Sequence, residues 1–470
     1  MPDTPMRPPR LHDTLSGEKH EIRPLADDGV LRLYVCGVTP YSEAHVGHAL
    51  HAIVFDVLRR YLEWRGLRVN HVQNFTDIDD KLIDRSQRLG LPMAELAEQN
   101  IAAYLAQLAA MNVLPATHYP RVTAVVPDII AMIEGLIAKG HAYAAGGDVY
   151  YRVRSFGPAR YGGLSKRDVD DLLSGARIDT TEIKEDPLDF ALWKSARPGE
   201  PSWPSPWGPG RPGWHIECSA MALGALGEQI DIHGGGADLI FPHHTNEIAQ
   251  TEAYTGKPPF ARTWMHNALL QLGAEKMSKS AGNLVTMDEA LEKYGADALR
   301  LFVLTSHYRS PVTYTDEALE AAKTGAARLR AAAFVGAAAG EEVRDGAATA
   351  GEAPRQRFID AMDDDLNTPQ AVAVLFELSR DINRARDAGA PIAAAQGALR
   401  ELAGVLGFTL AAPAAHSQEA ATFIELLIAV RADLRAAKQW ALADRVRDGL
   451  AALGVELQDG PGATTWSAGG

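Results

Sequence analysis

Several short stretches of this chain place reactive side chains at spacings that suit chemistry. His45-Val-Gly-His48 sets two imidazoles at i, i+3, a spacing that puts them on one face of a helix. A helix starting there offers free backbone N–H groups and positive dipole to a phosphate, and Gly47 lets a base or ribose approach the main chain. In isolation, H-x-G-H reads better as two exposed or capping histidines; a buried strand immediately before it reverses that balance. Lys276-Met-Ser-Lys-Ser280 sets two lysines three apart among small residues. Such a loop can neutralise charge developing on departing pyrophosphate, although a lone K-x-x-K is usually a solvated loop.

A third group has the composition of a metal site. Cys36 closes an apolar segment, Cys218 ends Trp214-His-Ile-Glu-Cys218, and His243 and Glu247 stand at i, i+4. Two thiolates, an imidazole and a carboxylate can surround zinc tetrahedrally. The spacing is not that of a zinc finger, a free buried cysteine is the commoner case, and His244, at i, i+3 to Glu247, is as good a ligand on spacing. In Ile232-His-Gly-Gly-Gly-Ala-Asp238 the glycines allow close backbone approach to a ligand and the acid can accept from a ribose hydroxyl; a flexible turn explains it equally well. The acidic run at 77–80 fits a helix N-terminus at least as well as a cation site.

These residues need elements to position them. Leu31-Arg-Leu-Tyr-Val-Cys36 has the apolar density of a buried strand. After the turn residues 37–40, apolar side chains from Val46 to Leu62 recur at i, i+3, i+4, i+7 and onward, one continuous helical face. Gly66 stands where a left-handed terminator belongs, and residues 67–75 form a second strand. Strand, helix and strand at this spacing make a parallel crossover, hence an α/β sheet of Rossmann type. Residues 119–209 read as an insertion, with a helix at 127–139, strand-like pieces at 149–154 and a loop rich in proline and tryptophan. A further helix is expected to begin at Pro242, since proline suits a first helical position. From Asp288 onward the pattern is helical almost throughout, with linkers expected at 331–354 and 411–419 and a final module at 421–466.

Composition sets the outer limits. With 470 residues, 46 Lys+Arg, 60 Asp+Glu and a net charge of −14, the chain suits a multidomain globular protein and argues against general polyanion binding, leaving room for a local basic groove. No apolar run approaches the ~18–20 residues of a membrane span, and the proline-rich first ten residues do not resemble a secretory signal. Two cysteines make no disulfide framework, so a reduced, cytoplasmic setting is expected.

The two lysine- and histidine-bearing motifs, in this order around an insertion, resemble the signatures of class I aminoacyl-tRNA synthetases. Over nearly the whole length the chain resembles cysteinyl-tRNA synthetases. The matching segments are Tyr34-Val-Cys-Gly-Val-Thr-Pro-Tyr41, Asn74-Phe-Thr-Asp-Ile-Asp-Asp-Lys81, Arg211-Pro-Gly-Trp-His-Ile-Glu-Cys-Ser-Ala-Met221, Asp238-Leu-Ile-Phe-Pro-His-His244, Asn246-Glu-Ile-Ala-Gln250, Trp264-Met-His-Asn267, Ser306-His-Tyr-Arg-Ser310 and Ala361-Met-Asp-Asp-Asp-Leu-Asn-Thr368. The sequence departs from the family pattern in reading His-Val-Gly-His at the first signature, and Thr245 stands where the family commonly has an acid.

The resemblance implies the following. Cys36, Cys218, His243 and Glu247 match the zinc ligands, one ion per subunit, with His243 preferred over His244. Thr76, Trp214 and His233 match positions lining the amino-acid pocket. His45, Gly47 and His48 match the ATP-binding motif, and Lys276 and Lys279 the second signature, acting on ATP with Mg²⁺. Trp440 and Asp444 resemble anticodon contacts. The implied architecture is a Rossmann-type catalytic domain in two halves (1–125 and 210–290) around an insertion (126–209), then a helical stem-contact region (291–345), a helical bundle (346–412) and a small anticodon-binding module (421–470). The implied partners are tRNA(Cys), ATP and L-cysteine, with no membrane and a monomeric chain. Two other readings share part of this pattern: a ligase passing activated cysteine to an amino-sugar, and a catalytically silent RNA-binding paralogue. The C-terminal helices favour tRNA over a small acceptor, and an intact set of signature residues speaks against silence.

Overall fold

The computed structural model describes residues 7–167, 183–272, 275–276, 285–335, 348–411, 418–453, 455–460 and 464–468. It divides into two compact units. The first comprises Met1–Lys323, Gln356–Ala373 and Val405–Phe408; the second comprises Thr324–Arg355, Val374–Gly404 and Thr409–Gly470.

The first unit opens with a small hairpin of β1 (Arg10–His12) and β2 (Lys19–Glu21). Its core is a parallel sheet. β3 (Val30–Val38) and β4 (Arg68–Phe75) are joined through α1 (Val46–Trp64), as the periodicity predicts. Helix α1 buries Val46, Leu50, Ile53, Val54, Val57, Leu58, Tyr61 and Leu62, and Gly66 ends the turn at φ +83°. α2 (Asp80–Leu89), α3 (Met93–Ala110) and α4 (Val126–Ala138) follow.

The insertion is an antiparallel sheet, ordered β5 (Ala142–Ala145), β6 (Asp148–Tyr151), β7 (Phe190–Ser195) and β8 (Gly210–Pro212), with a short helix α5 (Pro158–Tyr161). α6 (Trp214–Leu226) returns the chain to β9 (Ile230–Gly236), which pairs with β3, and α7 (Thr245–Thr255) leads to β10 (Ala261–Asn267). The resulting order, β10-β9-β3-β4, has its switch point between β9 and β3, and ligands of open α/β sheets bind at the strand ends flanking such a switch. β11 (Leu270–Leu272), β12 (Glu275–Lys276) and β13 (Val312–Tyr314) make a small sheet, with α8 (Met287–Tyr294) and α9 (Ala296–Leu304) between its strands in sequence.

The helix expected from Pro242 begins there: Phe241 alone is extended (φ −138°, ψ 133°), as a following proline imposes, and the chain continues helically through His243 and His244 into α7. Three expectations are corrected. The ends of the first expected linker are helical: α10 (Asp316–Phe334) and α11 (Ala348–Asp363) enter it from both sides, with Pro354 inside the latter, while its middle, 336–347, and residues 412–417 of the second expected linker lie outside the described residues. The first linker's alanines, taken as linker composition, are strong helix formers. The strand-like stretch at 149–154 ends at Tyr151 and continues as a 3-10 turn, Val153–Phe156. The C-terminal part is not wholly helical. After α12 (Thr368–Asp387), α13 (Ala393–Val405), α14 (Gln418–Ala436) and α15 (Trp440–Ala452), it ends in a hairpin of β14 (Val455–Asp459) and β15 (Thr464–Ala468).

In the second unit, Ile424, Leu450 and Val455 form a small core with Trp466 packed on it. Arg431 clamps the Asp459 carboxylate through two bonds of 2.7 and 2.8 Å. Among the described residues no helix is long and apolar enough to cross a membrane.

Candidate active site and metal centre

The end of β3, the first turns of α6 and the start of α7 converge on one buried cluster. Cys36 and Cys218, 182 residues apart, bring their sulfurs to 3.7 Å. Cys36 Sγ lies 3.6 Å from Glu247 Oε1, and His243 Nε2 lies 3.0 Å from the same oxygen. All four side chains are buried, and their ligand atoms lie within 4.8 Å of one another. Close strand approach makes this possible: Gly37 presses against the Asn74 carbonyl, where a side chain would collide, and its N–H donates to Asn74 Oδ1.

The dimensions fit zinc. A tetrahedron with Zn–S of about 2.3 Å and Zn–N or Zn–O of about 2.0 Å has edges of roughly 3.7 Å for S···S, 3.5 Å for S···O and 3.3 Å for N···O. The observed 3.7, 3.6 and 3.0 Å are close to these values. A second set, Cys36, His233, His244 and Glu247, overlaps the first. It lacks the second thiol, although His244 too faces the cluster, with Nε2 3.3 Å from Cys36 Sγ. The second thiol makes the set containing His243 the better fit to zinc.

Its electrostatics are those of a paired buried cluster. The contact with Cys36 lowers the Cys218 thiol to about 6, while burial pushes Cys36 well up. Burial opposes charge on His243, yet the Cys218 thiolate and the Glu247 carboxylate hold its imidazolium up at about 10. Burial likewise opposes the Glu247 carboxylate, but His233 and His243 bring it down to about 2. On the far side of His243, its Nδ1 meets His215 Nδ1 at 3.1 Å, the kind of contact that orients a metal-ligating imidazole. Neither His215 nor the buried Tyr34, whose electrostatic neighbours include both cysteines and Glu247, was singled out from sequence. No local pattern marks such partners; only the proximity of His215 to Cys218 in the chain hints at one.

Two of the three expected pocket residues, Trp214 and His233, border the cluster. Trp214, half-exposed, stacks on the His243 ring at 4.4 Å between centroids. His233 joins Glu247 Oε2 at 2.9 Å and stacks on Trp264. Thr76 follows β4, its N–H donating to the Val38 carbonyl. The glycine run after His233 accommodates this chain's own side chains, with Phe55 against Gly234 and His244 against Gly235. The acidic run serves structure: Asp79 caps α2, Asp77 accepts two bonds from Thr123, and Asp80 pairs with Lys194 and Arg211.

His45 and His48 form a reciprocal cap at the start of α1. His45 Nδ1 accepts from the Gly47 N–H at 3.1 Å, and His48 Nδ1 accepts from the His45 N–H at 3.0 Å. A neutral imidazole accepting at Nδ1 carries its proton on Nε2, so each ring is a donor suited to phosphate oxygen. Val46 N–H donates to the Val285 carbonyl, and His45 bridges Thr286, so the start of α1 is joined to the segment that follows the lysine motif. Of that motif, Lys276 ends β12, while Lys279 lies outside the described residues. Trp440 and Asp444 belong to α15 of the second unit; Trp440 is 57% exposed, and Asp444 faces Arg447 at 3.4 Å.

Comparisons with known proteins agree with this geometry. The family described as tRNA synthetases class I (C) catalytic domain matches residues 22–324, and the DALR domain matches residues 357–411. A cysteine--tRNA ligase of Dehalococcoides mccartyi is 54% identical over 459 residues, covering 97% of this chain and 99% of the relative. That of Chromohalobacter salexigens is 49% identical over 466 residues, with the same coverage. Among solved structures, the Mycobacterium tuberculosis methionyl-tRNA synthetase in complex with methionyl-adenylate superposes with a TM-score of 0.59 at 15% identity, over 80% of this chain and 88% of that one; this likeness concerns the fold alone. With half of its residues identical to such ligases over nearly its full length, the chain belongs to the cysteine--tRNA ligase family of class I aminoacyl-tRNA synthetases.

Proposed function

We propose that this protein joins L-cysteine to tRNA(Cys) at the expense of ATP, through a cysteinyl-adenylate. The observation that carries the reading is the convergence of Cys36, Cys218, His243 and Glu247 in one buried cluster, on the sheet that also carries the histidine-capped helix α1.

Cysteine differs from serine by one heavy atom, and a hydrophobic pocket separates single groups by only about 1–3 kcal/mol. Cys36, Cys218, His243 and Glu247 would hold zinc, which would supply the missing selectivity by binding a thiolate strongly and a hydroxyl weakly. Trp214, Thr76 and His233 shape the amino-acid pocket around the cluster. The bound carboxylate attacks the α-phosphate of ATP, supplied with Mg²⁺; a carboxyl-oxygen-to-phosphorus bond forms as the bond to pyrophosphate breaks. His45 and His48 hold the nucleotide through Nε2–H, Gly47 admits it to the main chain, and Lys276 and Lys279 stabilise the leaving pyrophosphate. A terminal ribose hydroxyl of the tRNA then attacks the adenylate carbonyl and releases AMP. Positioning and charge stabilisation account for most of the rate.

The chain divides its labour along the expected boundaries: catalysis in 1–125 and 210–290 around the insertion 126–209, stem contact in 291–345, the helical bundle in 346–412 and anticodon contact in 421–470, with Trp440 and Asp444 touching the anticodon. It works as a monomer in the cytoplasm, where its thiols stay reduced.

The test offers the protein ATP, magnesium and labelled cysteine, with unfractionated tRNA in one tube and an amino-sugar acceptor in another. Label on tRNA supports the reading. Label on the sugar alone overturns the acceptor while leaving the adenylate chemistry in place.

A further inference from the structure

The turn that follows β1 is anchored to β10. Asp13, only 3% exposed, accepts from the Trp264 N–H through Oδ1 at 2.8 Å, and the Thr14 N–H donates to the Trp264 carbonyl at 2.9 Å. These two bonds set the Thr14 side chain against His266, which stands two residues beyond Trp264 on the same face of the strand.

From Thr14 a continuous chain of contacts runs to the metal cluster. Thr14 Oγ1 lies 2.8 Å from His266 Nδ1, His266 Nε2 lies 2.7 Å from His244 Nδ1, and His244 Nε2 lies 3.3 Å from Cys36 Sγ. Both rings and the thiol are buried, so the chain is shielded from bulk water. Its direction follows from its end. A metal-bound thiolate only accepts, so His244 Nε2 donates to it. His244 Nδ1 then accepts from His266 Nε2, and His266 Nδ1 accepts from the Thr14 hydroxyl. One tautomer of each ring, with the proton on Nε2, satisfies all three contacts.

We propose that Thr14 and His266 are positioning residues for the metal centre, holding His244 as the hydrogen-bond donor to the Cys36 thiolate. The inference deepens the proposed function and rests on its zinc and cysteine reading. A hydrogen bond to a ligand sulfur draws charge from it, which leaves the centre a stronger acceptor for the substrate's sulfur. Partners behind metal ligands tune affinity in this way. The two neighbouring histidines thereby take different tasks: His243 is a ligand, and His244 acts through Cys36. The N-terminal hairpin, 252 residues from His266 in sequence, supplies the fixed end of the chain.

The test compares Thr14→Val, which removes the hydroxyl and keeps the shape, with Thr14→Ser and the parent protein, each loaded with cobalt. The thiolate-to-cobalt charge-transfer band reports on the sulfur, chelator competition gives zinc affinity, and pyrophosphate exchange gives KM for cysteine and for ATP. In Thr14→Val the band should move to longer wavelength, because a sulfur with a weaker hydrogen bond gives up its electrons more easily. Zinc affinity should fall, and KM for cysteine rise, about 3- to 10-fold, with KM for ATP unchanged. Thr14→Ser should restore the parent's band and both affinities. A band in Thr14→Val equal to the parent's overturns the proposal. So does a change confined to the ligand-field bands, which marks His244 as a ligand instead. An equal loss in Thr14→Ser, with a lower unfolding midpoint of the metal-free protein, marks a merely structural residue and overturns it as well. A parent protein that exchanges no pyrophosphate overturns the cysteine reading, and that failure is distinguishable because the cobalt spectrum needs no substrate.

Discussion

Arg300 and Asp56 form an ion pair from which solvent is excluded on both sides, Nη2 to Oδ2 at 2.6 Å with both side chains fully buried. Every guanidinium nitrogen donates. Nε donates to the Met111 carbonyl, Nη1 to that of Leu406 and Nη2 also to that of Asn112. Asp56 in turn accepts from Arg60 and from the Leu114 N–H. Since Asp56 lies midway along α1, this network fixes the helix that begins with His45 and His48.

Removing one partner of a buried pair strands the other, which typically costs about 3–5 kcal/mol. Arg300→Leu should lose stability near the lower end of that range, because Arg60 still faces Asp56. Arg300→Lys should also destabilise, since an ammonium cannot reproduce the fork to three carbonyls. Denaturant unfolding at neutral pH checks both; a change within about 0.5 kcal/mol would show the network to be dispensable.

Cys218→Ala should abolish cysteine-dependent pyrophosphate exchange and weaken zinc retention. The loss should exceed the roughly 10- to 100-fold that follows removal of a group behind a metal ligand. Metal analysis after dialysis against a chelator reads the second effect independently of activity. The parent protein stripped by the same chelator should lose exchange and regain it with added zinc. Near-normal exchange by Cys218→Ala would remove the thiolate-recognition role.

His71, on β4, is 6% exposed, and neither ring nitrogen finds a partner among the described residues. Burial, with Arg59 and His51 adding like charge, depresses it to about 3. The folded state therefore stays unprotonated where the unfolded chain takes up a proton near the ordinary value of about 6.5. Stability from this site is present above that value and is lost as pH falls from about 6.5 towards 3. Between pH 7 and pH 5 the loss should be about 2 kcal/mol. His71→Leu should flatten that part of the stability profile, and an unchanged slope would remove His71 as its source.

Trp440 is exposed on α15 of the second unit. If its ring stacks on an anticodon base, Trp440→Ala should cost about 1–3 kcal/mol, roughly 5- to 150-fold in KM for tRNA. Pyrophosphate exchange, which needs no tRNA, should be unaffected. Asp444→Ala should act in the same direction more weakly. Aminoacylation with unchanged KM for tRNA in both variants would move the anticodon contact elsewhere.

Much of the first unit is legible because its order is local. The 3.6-residue period of α1, the glycine terminating it and the two apolar strands flanking it are properties of neighbouring residues, and β3, α1 and β4 follow from them. The final hairpin had a signal too, alternating Val455-Glu-Leu-Gln-Asp459 before the sequence Gly-Pro-Gly, obscured by the long helical run before it. The start of the helix at Pro242 is local in the same way: proline holds Phe241 extended and suits the first helical position that follows.

By itself, then, the sequence determined the type and order of the elements and the inventory of reactive groups, because propensity, periodicity and motif spacing act over a few residues. Tertiary structure alone decided which groups meet. It carried Cys36 to Cys218 across 182 residues and set both His243 and His244 beside the thiols, leaving donor chemistry to choose between them. It also turned Tyr104 towards His48. Such contacts arise from the packing of whole strands and helices, for which no short stretch of chain carries a local signal.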